Sequence, residues 1–144
     1  MQLGGNDIGF TEIVTTCVAA LPLGSPCRDH YVAGGTDEIS RRIAATGPKL
    51  AAVLAAVGQR APTARIYVVG YAAILPEAGP GCWPLLPIAS DDVPCLRDKG
   101  KELNAMLASR AAAARATYVD TYGPRVGRDA CQLPGFRWVS RWCP

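Results

Sequence analysis

Within its first seven residues the 144-residue chain turns through Gly4-Gly5-Asn6-Asp7, setting a short neutral amide and a carboxylate on a tight bend. Two glycines let a backbone turn sharply and approach a ligand closely, and Asn-Asp pairs commonly end a strand. Only Met1, Gln2 and Leu3 precede the bend, so a strand in front of it has little room. Other reactive residue types are sparse. The single histidine is His30, and the serines are Ser25, Ser40, Ser90, Ser109 and Ser140. Ser25 and His30 stand five apart in one expected loop. A nucleophile and its base must be held within hydrogen-bond reach, with the histidine tautomer fixed. Nothing nearby does that, so His30 reads as a surface loop residue.

The six cysteines are Cys17, Cys27, Cys82, Cys95, Cys131 and Cys143, and none are spaced C-x-x-C. A zinc site wants four ligands in tight pairs, so no metal is expected. Wide spacing fits disulfides made in an oxidising compartment. The N-terminus lacks the basic start and apolar stretch of a secretory signal. Beside the disulfide pattern, that makes the N-terminus read as incomplete. No apolar run reaches the roughly 18 residues of a membrane span. The net charge of +3 is small and the basic residues are scattered, with Arg41-Arg42 their one adjacent pair. No electrostatic stripe for nucleic acid results. Length points to one domain, and 49% hydrophobic with 19% charged residues is ordinary for a globular chain.

The elements that must position these residues alternate in texture. "TEIVTTCVAALPLG" begins like a short helix, ended by Pro22 and Gly24. Residues 36–60 read as a long helix capped by Thr36 or Asp37, with Ile39, Ile43, Leu50, Leu54 and Val57 on its apolar side. Gly47-Pro48 predicts a kink or break in it. "ARIYVVGY" reads as a short strand buried on both faces of a parallel sheet. A Pro- and Gly-rich loop follows, with Cys82 as its expected pin. Residues 91–115 read as a second long helix, capped by Ser90, Asp91 or Asp92, with Leu96, Leu103, Met106 and Leu107 inward. "TYVDTYGP" is a second strand ending at Asp120, and the tail is loop-like and rich in Arg and Trp. Helices between short buried strands imply a parallel α/β sheet with strands near 65–71 and 116–120.

The chain resembles the SGNH hydrolases, or GDSL esterases and lipases, in their actinobacterial secreted branch. "GGNDIGF" is similar to their third conserved block. "ARIYVVGYAAILP", a "GCWP" loop, "DDVPCLRDKGKELNAMLA" and "ATYVDTYGPRVGRDAC" follow in the branch's order, over residues 1 to about 139. The resemblance implies a three-layer flavodoxin-like sandwich around a parallel sheet, here incomplete, with residues 1–144 a single partial domain. It implies hydrolysis of carboxylic esters, lipid or acylated sugar, through an acyl-serine intermediate, without a cofactor, in a secreted protein. It maps Asn6 to the oxyanion donor, with Gly5 and Asp7 as loop support. Asp7 is expected to accept backbone hydrogen bonds. A fixed amide N–H aimed at a carbonyl becoming tetrahedral stabilises the growing charge without reorienting.

The family's nucleophile stands in a Gly-Asp-Ser that precedes the Gly-x-Asn-Asp block, and no Gly-Asp-Ser occurs here. The family's base lies beyond the matching segment. The expectation is therefore a chain truncated before the serine block and before the catalytic histidine, inactive by itself. The alternatives are a non-catalytic lipid- or glycan-binding relative and a non-functional gene remnant. Gly127-Arg128-Asp129 stands where the branch often has Gly-His-Asp, and the resemblance fades after "FRWVS". The branch's bridges imply Cys17–Cys27 and Cys82–Cys131, with the pairing of Cys95 and Cys143 left open.

Overall fold

A computed structural model of the chain describes residues 1, 3–19 and 23–139. Its elements run α1 (Phe10–Ala19), α2 (Pro26–Tyr31), β1 (Val32–Ala33), β2 (Thr36–Asp37), α3 (Glu38–Arg60), β3 (Tyr67–Val69), α4 (Asp92–Ala113), β4 (Thr117–Val119) and a 3-10 turn at Gly123–Arg125. β3 and β4 pair in parallel, Tyr67 with Thr117 and Val69 with Val119, joined through α4 as the sequence predicts. The ladder is three residues long on each side, shorter than the expected runs.

Met1 occupies the other edge of β3. Its amine donates to Tyr67 O at 2.7 Å, and Val69 N donates to its carbonyl at 2.9 Å. That is parallel pairing, so Met1, ahead of the Gly-Gly-Asn-Asp turn, extends the sheet. Val68 is wholly buried beneath the helices, while Tyr67 and Val119 on the opposite face are 46% and 37% exposed. The strands are thus buried on one face rather than both. On the buried face, Leu50 and Leu54 of α3 and Leu103 and Leu107 of α4 share one core with Val68.

The core follows the periodicity. Ile39, Ile43, Leu50 and Leu54 of α3 pack with Leu103, Leu107 and Ala111 of α4 and with Val68. Val57 is only half-buried. Asp37 caps α3, its Oδ1 accepting from Ser40 N at 3.0 Å. The expected break at Gly47-Pro48 does not occur: α3 runs continuously through Pro48. Gly47 lies against the Arg110 guanidinium, where a Cβ would come within 3.0 Å of Nε, so this glycine serves close packing of α4 on α3.

Three local features went unread in the sequence. Residues 26–31, expected as loop, form α2. Gly34 and Gly35, both at positive φ, turn the β1–β2 hairpin. Asp92, a candidate cap for α4, is fully buried. Its carboxylate instead accepts from Cys27 N at 3.0 Å and Arg28 N at 2.8 Å, tying the start of α4 to the start of α2.

Cys17 is bridged to Cys27 and Cys82 to Cys131, the pairs implied by the resemblance. Cys95 is a free thiol, pushed up from its ordinary pKa chiefly by burial. Cys143 lies outside the described residues.

Candidate active site

In open α/β sheets, ligands bind outside the carboxyl ends of the strands. The Gly4–Asp7 turn stands at that edge, because the segment before it runs parallel to β3. The turn is closed by Ile8 N donating to Gly4 O (3.0 Å), Gly9 N to Asn6 O (3.1 Å) and Phe10 N to Gly5 O (2.9 Å). These bonds lead it directly into α1. Gly4 has φ +102°, a conformation that favours glycine.

Tyr71, two residues beyond β3, fixes the turn. Its hydroxyl accepts from Gly5 N at 2.8 Å and donates to Leu3 O at 3.2 Å. A Cβ on Gly5 would sit 2.7 Å from that oxygen, so the second glycine is required by the tyrosine. Tyr71 is itself clamped by Asn104 of α4, which is 8% exposed. Asn104 Oδ1 accepts from Tyr71 N at 2.7 Å, and Asn104 Nδ2 donates to Tyr71 O at 2.8 Å. The order of support is therefore α4, Asn104, Tyr71, Gly5, Asn6. Tyr71 and Asn104 were not singled out from sequence. The available signal was an asparagine at a helix position flanked by Leu103 and Leu107.

Asn6 and Asp7 are both exposed. No hydrogen bond engages the Asn6 amide among the described residues, so it is open to a ligand arriving at the edge. Asp7 departs from its expected role. Its carboxylate lies 3.5 Å from Lys49 Nζ of α3 and accepts no backbone N–H of the turn. An ion pair can link turn to helix across exposed surface, and the Gly5 N–H of the turn is already spent on the Tyr71 hydroxyl.

His30 is an exposed residue of α2, its ring edge-on to Tyr31 at 4.8 Å. Among the described residues it touches no serine. Ser25 stands at the N-cap of the same helix with no side-chain capping bond. One serine does meet a basic group: Lys99 Nζ donates to Ser40 Oγ, which donates to Glu102 Oε2 at 2.7 Å. Lys99 also pairs with Asp37 and Glu102. Burial alone would lower the Lys99 pKa, but hydrogen bonds to Asp37 and Glu102 and their charges outweigh it, leaving the pKa raised. Lys99 is thus a charged donor binding α3 to α4, and accepts no proton from Ser40. Among the described residues no group of three or more His, Cys, Asp or Glu is placed to hold a metal.

Residues 1–144 match the family model of the GDSL-like Lipase/Acylhydrolase family. The chain belongs to this family. It is 41% identical over 146 residues to Lipase 2 of Streptomyces coelicolor, covering 97% of this chain and 48% of that protein. An esterase of Streptomyces scabiei is 30% identical over 155 residues, covering 90% of this chain and 45% of the esterase. The chain thus spans about half the length of the curated relatives it matches. Two solved structures share its α/β fold over 96% of this chain and 54% of theirs. One is phospholipase A1 from Streptomyces albidoflavus NA297, with TM-score 0.78 and 24% identity. The other is an extracellular lipase from Streptomyces rimosus, with TM-score 0.68 and 25% identity.

Proposed function

We propose that these residues belong to a secreted carboxylic ester hydrolase and provide its oxyanion side, with Asn6 the donor to the developing charge. The observation that carries the proposal is the Asn6 amide, unengaged and exposed at the carboxyl edge of the sheet, on a turn held by Tyr71 and Asn104. Family membership and the names of the relatives support ester chemistry. The substrate class is an ester of a lipid or an acylated sugar. Two disulfides support an oxidising, extracellular setting. We read residues 1–144 as part of one SGNH-type domain.

The 144 residues contain no Gly-Asp-Ser, and His30 sits on α2 without a serine partner. The attacking serine and its base are therefore not assigned to any residue here. In the proposed reaction the serine oxygen attacks the ester carbonyl and the base takes its proton. The Asn6 N–H then bonds the carbonyl oxygen as it gains charge, strongest in the tetrahedral state, which is what lowers the barrier.

Turnover of an activated short-chain ester tests this. The 144-residue chain should stay at background, and His30→Ala should change nothing. Saturable turnover lost in His30→Ala would overturn the assignment. In a protein that joins these residues to a relative's serine and histidine segments, Asn6→Ala should lower kcat by roughly 10²–10³-fold. A kcat within about twofold of the parent would remove Asn6 from the oxyanion site, since a lost donor costs far more than that.

A further inference from the structure

The twelve Asp and Glu residues all fall within 7–38, 77–102 and 120–129, and residues 39–76 and 103–119 hold none. Those two acid-free segments carry most of α3 with β3, and the second half of α4 with β4. Three of their cations are paired across to neighbouring acids: Arg41 and Arg42 with Glu38, and Lys49 with Asp7. Arg60, Arg65, Arg110 and Arg115 differ. All four are exposed, and among the described residues none of their guanidinium groups forms an ion pair or a hydrogen bond. They stand where α3 and α4 finish and β3 and β4 start, at the end of the molecule opposite the Asn6 turn.

Arg65 and Arg115 line one cavity of about 310 Å³, together with Gly58, Ala61, Pro62 and Ala64. Arg110 lines an adjoining groove of about 240 Å³, and the two share Ala114. Most of the cavity wall comes from the ends of α3 and α4. Ile66 completes it and packs on the Val68 core, so the cavity lies toward the helix side of the sheet. A cation in the last turn of each helix, Arg60 and Arg110, is what a helix C-terminus favours. Arg65 and Arg115 lie beyond the helices and are not needed for that.

The conformation of Arg115 sets it apart further. Among the described residues it alone, glycines aside, has positive φ, at 56°. It follows the cap of α4 in a helix-ending motif, with Ala116 N donating to Ala111 O at 2.9 Å and Arg115 N to Ala112 O at 3.1 Å. Glycine is usual at that position, and an arginine stands there instead, on the same cavity as Arg65. Two guanidinium groups without a counter-ion repel each other. A phosphate group between them removes the repulsion and fits their planar donor forks.

We propose that Arg65 and Arg115 hold the phosphate group of a small soluble ligand in this cavity. Its volume is that of a small-ligand site. A phosphate carried on a lipid would need an apolar rim, whereas the wall beside these arginines is glycine, alanine and proline. The site is separate from the Asn6 turn and does not depend on the ester-hydrolase proposal.

The test is titration of the isotope-labelled 144-residue chain with glycerol phosphate at low salt, read from backbone amide shifts, with glycerol as the neutral control. Saturating shifts at Arg65, Ala114 and Arg115 that glycerol does not produce are expected. Arg65→Gln and Arg115→Gln should each weaken binding at least about tenfold, since each removes charge-assisted hydrogen bonds. Arg115→Gly should weaken it as much while the urea midpoint holds or rises, because glycine suits that backbone conformation; lost binding is thereby separated from lost folding. Shifts that do not saturate, or binding within about twofold of the parent in Arg115→Gly, overturn the proposal, since a lost charged partner costs more than that. So does binding to vesicles of ether-linked phosphatidic acid with no response to soluble glycerol phosphate. The same titration on the protein that joins these residues to a relative's serine and histidine segments completes the test. Binding there supports the site, and loss of binding there means that the rest of the domain covers the two arginines, which overturns it.

Discussion

Asn104→Ala tests whether α4 positions the turn. Asn104 makes two hydrogen bonds with one backbone, at 2.7 Å to Tyr71 N and 2.8 Å to Tyr71 O. Alanine removes both and leaves an N–H and a C=O unpaired at a part-buried site. A buried unsatisfied group costs about 1–3 kcal/mol, so two would cost about 2–6 kcal/mol if fully dry. Tyr71 is half-buried, so water reaches part of the gap, and a loss of about 2–3 kcal/mol is expected. Asn104→Asp separates the two bonds, because a carboxylate still accepts from Tyr71 N but cannot donate to Tyr71 O. It should cost at least as much as alanine, because its second oxygen faces the Tyr71 carbonyl and its charge is buried without a partner. The assay is urea unfolding followed by circular dichroism, with hydrogen exchange of the Gly5 amide as a local readout. Exchange at Gly5 should quicken in Asn104→Ala, because Gly5 N–H is bonded to the Tyr71 hydroxyl. Stability within about 0.5 kcal/mol of the parent, the scale of an ordinary surface substitution, together with unchanged Gly5 exchange, would refute the clamp.

Gly5→Ala should displace the turn, since its Cβ would lie 2.7 Å from the Tyr71 hydroxyl; Tyr71→Phe in the same chain should recover part of the lost stability in the same unfolding assay. Asp92→Ala leaves two backbone N–H groups of α2 without their carboxylate and should cost about 2–4 kcal/mol in urea, given the strength of bonds to charged acceptors. In acid, the Glu38 carboxyl is held down to about 2, from an ordinary 4.5, by hydrogen bonds from Arg41 and then Arg42. A lowered folded pKa contributes stability above the unfolded value and loses it as pH falls between those two values. Both sides are solvent-screened, so the sign is the prediction: unfolding measured from pH 5 to 2 should show a shallower loss in Glu38→Gln than in the parent. Reduction of the bridges should release loop entropy worth roughly 3 kcal/mol for Cys17–Cys27 and roughly 4 kcal/mol for Cys82–Cys131, visible as a lower urea midpoint.

The sequence by itself determined the parts whose signal is local. Apolar spacing placed α3 and α4 and named Ile39, Ile43, Leu50, Leu54, Leu103 and Leu107 as buried, because a helix turns those positions to one side whatever it meets. A short β-branched run bounded by turn residues placed β3, and the helical stretch between two such runs implied parallel pairing. Two glycines before Asn6 marked a bend that glycine alone adopts easily. Tertiary structure decided everything that depends on what lies across a gap. Pro48 stays inside one helix because packing of α3 on α4 and on the core outweighs one missing backbone bond. Asp92 serves α2 and not α4, and Asp7 pairs with Lys49 and not with its own turn. A side chain's choice among partners is set by distances that sequence spacing does not contain. The same holds for Tyr71 and Asn104. Each is unremarkable in its own segment, and only the meeting of β3, α4 and the first five residues at one edge of the sheet makes them the support of Asn6.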